Sequence, residues 1–374
     1  MRVLVAMDSF KGSLTAARAC EIVAESIGQV VPKAEIILKP LADGGEGTAS
    51  AMMAAGNGRW IKETVTGPLP DMQVDAGFVW FEAERMALVE MAAASGLELL
   101  SPKLRNPLKT TTYGTGQLIN AAVNYGAKRV LLAVGGSATV DGGTGAAAAM
   151  GWKFLDEQKN EIIPSGGELI RIAKIISPSQ TNRVPIEVLC DVDNPLCGEH
   201  GAAKVYAPQK GADEEMIGLL EAALEHLAEL IKRQLGQHIK DVPGAGAAGG
   251  LAAGAIAFMG ARLLSGIEAV MSQNHLGDAV TKADWVITGE GKFDEQSLRG
   301  KVISGILRLT KNTTAKVAVL AGQVLLTPRE YCRLGVVDAI SCMNGTMTLQ
   351  YAMENGEKLL SQAAKNLALK HLSI

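Results

Sequence analysis

Four short stretches of this 374-residue chain have a composition that core packing alone does not demand. In DSFK, directly after RVLVAM, Asp8, Ser9 and Lys11 suit a metal-bound phosphate or a substrate carboxylate; the plainer reading is a turn with a solvated lysine. In ADGGEGT, residues 42–48, Asp43 and Glu46 flank two glycines. The acids would repel a bare phosphate, so the stretch reads as a magnesium–phosphate or hydroxyl site, or as a tight turn favoured by the helix dipole. GGSATVDGG, residues 135–143, offers the amides of Gly135, Gly136, Gly142 and Gly143, the hydroxyls of Ser137 and Thr139, and one acid, Asp141. It is either a loop shaped around a phosphate or a turn too tight for larger side chains. VPGAGAAGG, residues 242–250, spells G-x-G-x-x-G through Gly244, Gly246 and Gly249. A nicotinamide-binding reading needs a buried strand in front, and HIKDV with Pro243 is a poor one, so a phosphate-cradling loop or a tightly packed helix ranks ahead. Single residues add to these stretches: Asp191 after IEVLC, Lys210 in APQKGA, Glu290 and Asp294 in TGEGKFDEQS, and Lys301 downstream.

These groups need a scaffold, and the chain alternates between two patterns. Apolar runs such as RVLVAM, EIILKPL, RVLLAVG, IEVLCDV, DWVITGEG and KVAVLAG each run into glycine or acid, and helical periodicity recurs between them. That alternation predicts an α/β protein with a mostly parallel sheet, where ligands gather at the carboxyl ends of the strands. Ala16, Ala19, Val23 and Ile27 share one helical face, with Ser13 or Thr15 as the cap. DEEMIGLLEAALEHLAELIKRQLG reads as a structural helix, capped by Asp213 and closed by Gly236. The preferred organisation is a discontinuous first domain, residues 1–65 and 280–374, with residues 66–279 inserted as a second.

Composition narrows the function. With 48% hydrophobic and 20% charged residues, the chain can build a substantial core. A net charge of −3 gives no reason to expect nucleic-acid binding. Five cysteines without a C-x-x-C pair, and five histidines, argue against a zinc site. No apolar stretch is long enough for a membrane span, and the opening MRVLVAM is too short for a signal peptide, so a reducing cytoplasm is the expected compartment. There is no Walker A sequence, no protein-kinase signature set and no G-x-S-x-G elbow.

The blocks DSFKGSL, LADGGEGT, EMAAASGLELL, GGSATVDGGTGAAAAMG, CDVDNPLCG, GAAKVYAPQKGA, VPGAGAAGGLAAG and ITGEGKFDEQSLRGK resemble, in that order, those of bacterial type I glycerate kinases. The resemblance spans essentially the whole chain. It implies two α/β domains, one Rossmann-like and one of a family-specific fold, with the active site in the cleft between them. It also implies ATP-dependent phosphorylation of D-glycerate, with 2-phosphoglycerate favoured over 3-phosphoglycerate. ATP and Mg²⁺ are then the cofactors and small molecules the partners; a homodimer is compatible with the class. Under this reading Asp191, Asp43, Lys11 and Lys210 are the catalytic candidates. Asp8, Ser9, Glu46, Ser137, Thr139, Asp141 and Lys301 are assigned to substrate. Gly135, Gly136, Gly142, Gly143, Gly244, Gly246 and Gly249 are assigned to nucleotide, and Glu290 and Asp294 to metal. A nicotinamide-dependent oxidoreductase acting on a small hydroxy acid, and a non-enzymatic nucleotide or sugar-acid sensor, are the alternatives.

Overall fold

The computed structural model describes residues 1–42, 47–56, 58–179, 184–298 and 301–373. The chain divides into two compact units. Unit 1 comprises Met1–Asp43, Ser50–Asn57 and Ser265–Ile374; unit 2 comprises Gly44–Ala49 and Gly58–Leu264. Against the expected boundaries at 65 and 280, the strand Arg59–Thr66 lies in unit 2 because it pairs along its whole length with Gln73–Phe81. The helices Gly266–Gln273 and Leu276–Thr281 lie in unit 1. There the Asn274 amide donates to the Pro40 carbonyl at 3.1 Å.

The strands run in chain order as follows. First come β1 (Arg2–Met7) and β2 (Glu35–Leu38), then β3 (Arg59–Thr66), β4 (Gln73–Phe81), β5 (Met86–Glu90) and β6 (Arg129–Ala133). A small antiparallel ribbon of β7 (Lys153–Leu155) and β8 (Lys174–Ile176) precedes β9 (Ile186–Leu189) and β10 (Arg262–Leu264). Last come β11 (Trp285–Gly289), β12 (Lys292–Phe293), β13 (Lys316–Ala321), β14 (Gln323–Val324) and β15 (Val336–Ser341).

Unit 1 is built on a fully parallel sheet in the order β15-β13-β11-β1-β2. The inner strands β1, β11 and β13 are nearly continuous apolar runs because a parallel sheet is covered on both faces. One cover is the helix Ala16–Val30, whose Ala19, Val23 and Ile27 are completely buried. Thr15 caps it, its hydroxyl accepting from the Arg18 amide at 3.2 Å. The C-terminal helix Gly356–His371 adds Leu360, Ala364 and Leu367 to the same core.

Unit 2 holds a mixed sheet, β10-β9-β6-β5-β4-β3, parallel from β10 to β5 and antiparallel beyond. The helices Tyr113–Tyr125 and Ala247–Met259 pack into its main core. The long helix Glu214–Leu235 starts at Asp213, whose carboxylate accepts from the Met216 amide, and ends at Gly236 in the left-handed region. Its Leu220, Leu224, Leu227 and Ile231 seal a second core. No helix among the described residues is long and apolar enough to cross a bilayer.

Candidate active site

In unit 1 the chain leaves β1 toward β2 on one side and resumes on the other side at β11. Strand order reverses there, and the crevice beyond the carboxyl ends of such strands is where open α/β sheets take their ligands. Met7 pairs with Gly289 in register, so the next residues, Asp8 and Glu290, emerge from neighbouring strand ends. The Asp8 amide donates to the Gly289 carbonyl at 2.8 Å, and the Ser9 amide donates to Asp8 Oδ1 at 2.6 Å. Asp8 is 6% exposed and Glu290 7%. Gly289 is required at this point: a Cβ would lie 1.8 Å from the Leu320 carbonyl oxygen of β13. Lys11 stands exposed at the tip of the turn that follows, and Lys301 occupies the cap position of the helix Val302–Thr310. Asp294 forms an ion pair with Lys292 at 2.8 Å, and its amide is fixed by Ser297 Oγ at 3.1 Å. Asp43 and Glu46 lie outside the described residues.

In unit 2 the turn after β6 runs antiparallel to residues 95–97. The Leu97 amide donates to the Gly136 carbonyl and the Ala138 amide to the Ser95 carbonyl. This pairing leaves Gly136 exposed, and Gly135 and Ser137 half-buried. Behind Ser137 lies Lys210, 1% exposed, on the one-turn helix Pro208–Lys210. Its Nζ donates to Ser137 Oγ and to the Thr139 carbonyl, both at 2.7 Å. Burial pushes the Lys210 ammonium down to about 7, against the opposing pull of Asp141. Thr139 Oγ1 is buried without a hydrogen-bond partner among the described residues, which marks a place for a bound water or ligand.

Asp141 is completely buried and does not stand open to a ligand. Oδ2 accepts from the Thr112 amide at 2.7 Å, the Thr112 hydroxyl at 2.8 Å and the Gly145 amide at 3.2 Å; Oδ1 accepts from the Gly143 amide at 3.1 Å. Desolvation raises this carboxyl above the usual carboxylate range, while the four donors act to lower it.

The glycines assigned to nucleotide divide into two groups. Gly135 and Gly136 are accessible, whereas Gly142, Gly143, Gly244, Gly246 and Gly249 are buried. The buried set brings backbones together. The Gly142 amide donates to the Gly249 carbonyl at 3.1 Å. Gly249 sits at φ +67°, where a Cβ would fall 1.9 Å from the Thr139 carbonyl oxygen. The G-x-G-x-x-G spelling is therefore not preceded by a strand and is used to lock two loops together. The nicotinamide reading loses its structural context.

Asp191 stands exposed just past the end of β9. Reading from sequence missed several residues at this edge of the sheet. Glu90 ends β5 and accepts from the Ala49 amide at 2.9 Å. Ser95 bonds Thr115 across 2.9 Å, and Thr110 Oγ1 donates to the Ala138 carbonyl at 2.9 Å. The signal for Glu90 was the rule that exposed Asp8: an acid closing an apolar run, here MALVE. The triple threonine 110–112 had no comparable signal. A cavity of about 390 Å³ in unit 2, lined by Glu229, Lys232, His238 and Asp241 among others, lies along the helix Glu214–Leu235 and holds none of the candidates.

The family model described as the glycerate kinase family matches residues 3–371. The chain belongs to the glycerate kinase family. Family relatives agree over almost their full length. The glycerate kinase of Halalkalibacterium halodurans is 42% identical over 98% of this chain and 97% of its own. The glycerate 2-kinase of Escherichia coli K12 is 41% identical over the same shares. The crystal structure of a putative glycerate kinase 2 from Salmonella typhimurium LT2 superposes with a TM-score of 0.86 at 41% identity, covering 99% of this chain and 98% of that one. Membership makes the chain an ATP-using phosphotransferase with a mixed α/β fold, and the oxidoreductase and sensor alternatives find no support.

Proposed function

We propose that the chain transfers the terminal phosphoryl group of ATP to D-glycerate, and that the 2-hydroxyl is the acceptor. The full-length family match carries this reading. Phosphoryl transfer asks for positioning and charge neutralisation more than for covalent chemistry by the protein. Unit 1 supplies carboxylates at its switch point. Asp8 and Glu290 fit a magnesium ion that takes its other ligands from phosphate and water. Among the described residues no group of three or more acids, histidines or cysteines is placed to cage a metal. Asp294, engaged by Lys292, is the weaker candidate of the metal pair. Magnesium, when bound, supplies neutralisation of phosphate charge. Lys11 and Lys301 add positive charge in the same unit.

Unit 2 supplies an anion site. Lys210 spends two of its three N–H donors on Ser137 and Thr139, which leaves one for a ligand. Together with the Gly135 and Gly136 backbone and the Ser137 hydroxyl, it grips the glycerate carboxylate. Asp191, exposed at its strand end, accepts the proton of the attacking hydroxyl. A positioned base contributes about 10² to 10⁴ in rate, so Asp191→Asn is expected to fold and to lose at least about 10² in kcat. Near-normal turnover in a folded variant would remove Asp191 from the role.

Free cysteines, Cys20, Cys190, Cys197, Cys332 and Cys342, support a reducing cytoplasm as the working compartment. The deciding experiment follows ADP release with D-glycerate and then records the phosphorus NMR spectrum of the product. Resonances of 2-phosphoglycerate are expected. Resonances of 3-phosphoglycerate would reverse the acceptor position, and no ADP release would end the reading.

A further inference from the structure

We propose that Ser137 and Lys210 form a nucleophile–base pair: the Lys210 amine takes the Ser137 hydroxyl proton while Ser137 Oγ attacks the carbonyl carbon of an activated ester. This chemistry toward acyl donors goes beyond phosphoryl transfer.

The two groups are in direct contact. Lys210 Nζ lies 2.7 Å from Ser137 Oγ and 2.7 Å from the Thr139 carbonyl oxygen. A carbonyl only accepts, so Nζ must direct an N–H at Thr139; a hydroxyl donates as well as accepts, so Ser137 is the partner able to give up a proton. Lys210 is 1% exposed, and among the described residues no ion pair joins it. The oxygens of Asp141 are taken by Thr112, Gly143 and Gly145. A buried ammonium without an ion-pair partner favours the neutral amine. In that form Nζ keeps two N–H donors and offers a lone pair, which the Ser137 hydroxyl can fill. Backbone contacts fix both ends of the pair. Ser137 is half-buried on a turn held by the Leu97 amide on the Gly136 carbonyl at 2.8 Å and by the Ala138 amide on the Ser95 carbonyl at 2.9 Å. Lys210 is followed by Gly211 at φ +93°, where a Cβ would come 2.5 Å from the Arg105 carbonyl oxygen. The constellation is a hydroxyl, a base in contact with it and a third group, the Thr139 carbonyl, that orients the base. Gly136, next to Ser137, is exposed, so a small ester can reach the turn. The Oγ–C bond then forms, the ester C–O bond breaks, the alcohol leaves with that electron pair, and the Ser137 proton stays on Lys210 until it passes to water.

The test uses p-nitrophenyl acetate on the full chain, with release of p-nitrophenolate followed by absorbance and the acetyl group located by peptide mass spectrometry. Acetyl on Ser137 is expected. Acetyl on other residues with none on Ser137 overturns the proposal. Lys210→Met is expected to slow Ser137 labelling by at least about 10². Lys210→Arg keeps a positive charge and N–H donors but cannot take a proton, and is expected to lose labelling to the same extent. Labelling of Ser137 at the wild-type rate in either folded variant overturns the proposal. If neither variant folds, the pH profile of the wild-type labelling rate decides. A base that loses its own proton at about 7 gives a rate that levels off in alkaline solution. An unassisted serine hydroxyl gives a rate that climbs about tenfold per pH unit without levelling, and that profile overturns the proposal. D-glycerate is expected to protect Ser137 if its carboxylate occupies Lys210 as read above. Labelling at Ser137 that D-glycerate leaves unchanged supports the pair and removes Lys210 from the substrate anion instead.

Discussion

The turn at the end of β1 and the turn at the end of β6 each follow an internal strand of a different sheet, yet their charges are arranged in opposite ways. In unit 1 the acids Asp8 and Glu290 sit at the strand ends themselves, fixed by a short backbone link between neighbouring parallel strands. The lysines, Lys11 and Lys292, are at the surface. In unit 2 the acid and the lysine are both inside, and the turn shows solvent only glycine and a hydroxyl. The contrast follows from how each turn is held. Sheet register places Asp8 and Glu290 side by side at neighbouring strand ends. The 135–143 turn is held by Asp141 and by contact with the loop around Gly249, so its carboxylate is consumed by structure. The first arrangement suits a cation with its phosphates and the second suits an anion.

Four variants break or sharpen this contrast, taken from the largest expected effect to the smallest. Glu290→Gln should lower kcat by about 10² to 10³ in the ADP-release assay while the melting temperature stays near that of wild type. A folded variant with unchanged turnover would place the working carboxylates elsewhere. Gly249→Ala should cost at least about 2 kcal/mol in urea unfolding, because the added Cβ meets the Thr139 carbonyl in a left-handed backbone. Unchanged stability together with weakened ATP binding would return this loop to the nucleotide.

Lys210→Met tests the buried ammonium through the pH dependence of stability. The folded value of Lys210, about 7, lies below its ordinary value of 10.5, so the unfolded chain holds this proton more tightly. The stabilising contribution is complete above 10.5 and is lost as pH falls toward 7. Wild type should therefore gain on Lys210→Met between these limits, by at most about 1.4 kcal/mol per pH unit. A constant difference across that window would show that Lys210 is not desolvated in solution. Lys292→Ala, at a half-exposed ion pair, should change stability by less than about 1 kcal/mol. A larger loss in chemical unfolding would mean that the Asp294 segment depends on this pair for its fold.

Much of the scaffold was readable in the sequence. RVLVAM, RVLLAVG and DWVITGEG each announce a buried parallel strand, because such strands are apolar along their length and end where glycine or acid begins. Thr15, Asp213 and Gly236 announced helix ends for the same local reason: each satisfies or permits backbone groups within a few residues of itself. The β3–β4 pair was not read: β3 carries charged and polar residues along its length, and its place follows from pairing with β4 rather than from an apolar run of its own.

Within the candidate site the division is equally physical. Residue type and local pattern determined that this chain forms an α/β protein with acids and glycines at its strand ends, because strand burial and turn chemistry act over a few neighbours. Tertiary structure alone decided which of those groups are available. Asp8 and Asp141 look alike in sequence, each an acid soon after an apolar run, but only Asp141 is surrounded by donors from Thr112, Gly143 and Gly145. Gly136 and Gly249 also look alike, but Gly136 is exposed, whereas Gly249 is buried where a Cβ would fall 1.9 Å from the Thr139 carbonyl oxygen. Desolvation and hydrogen bonding across distant segments set a side chain's charge and reach, and those segments meet only once the chain is folded.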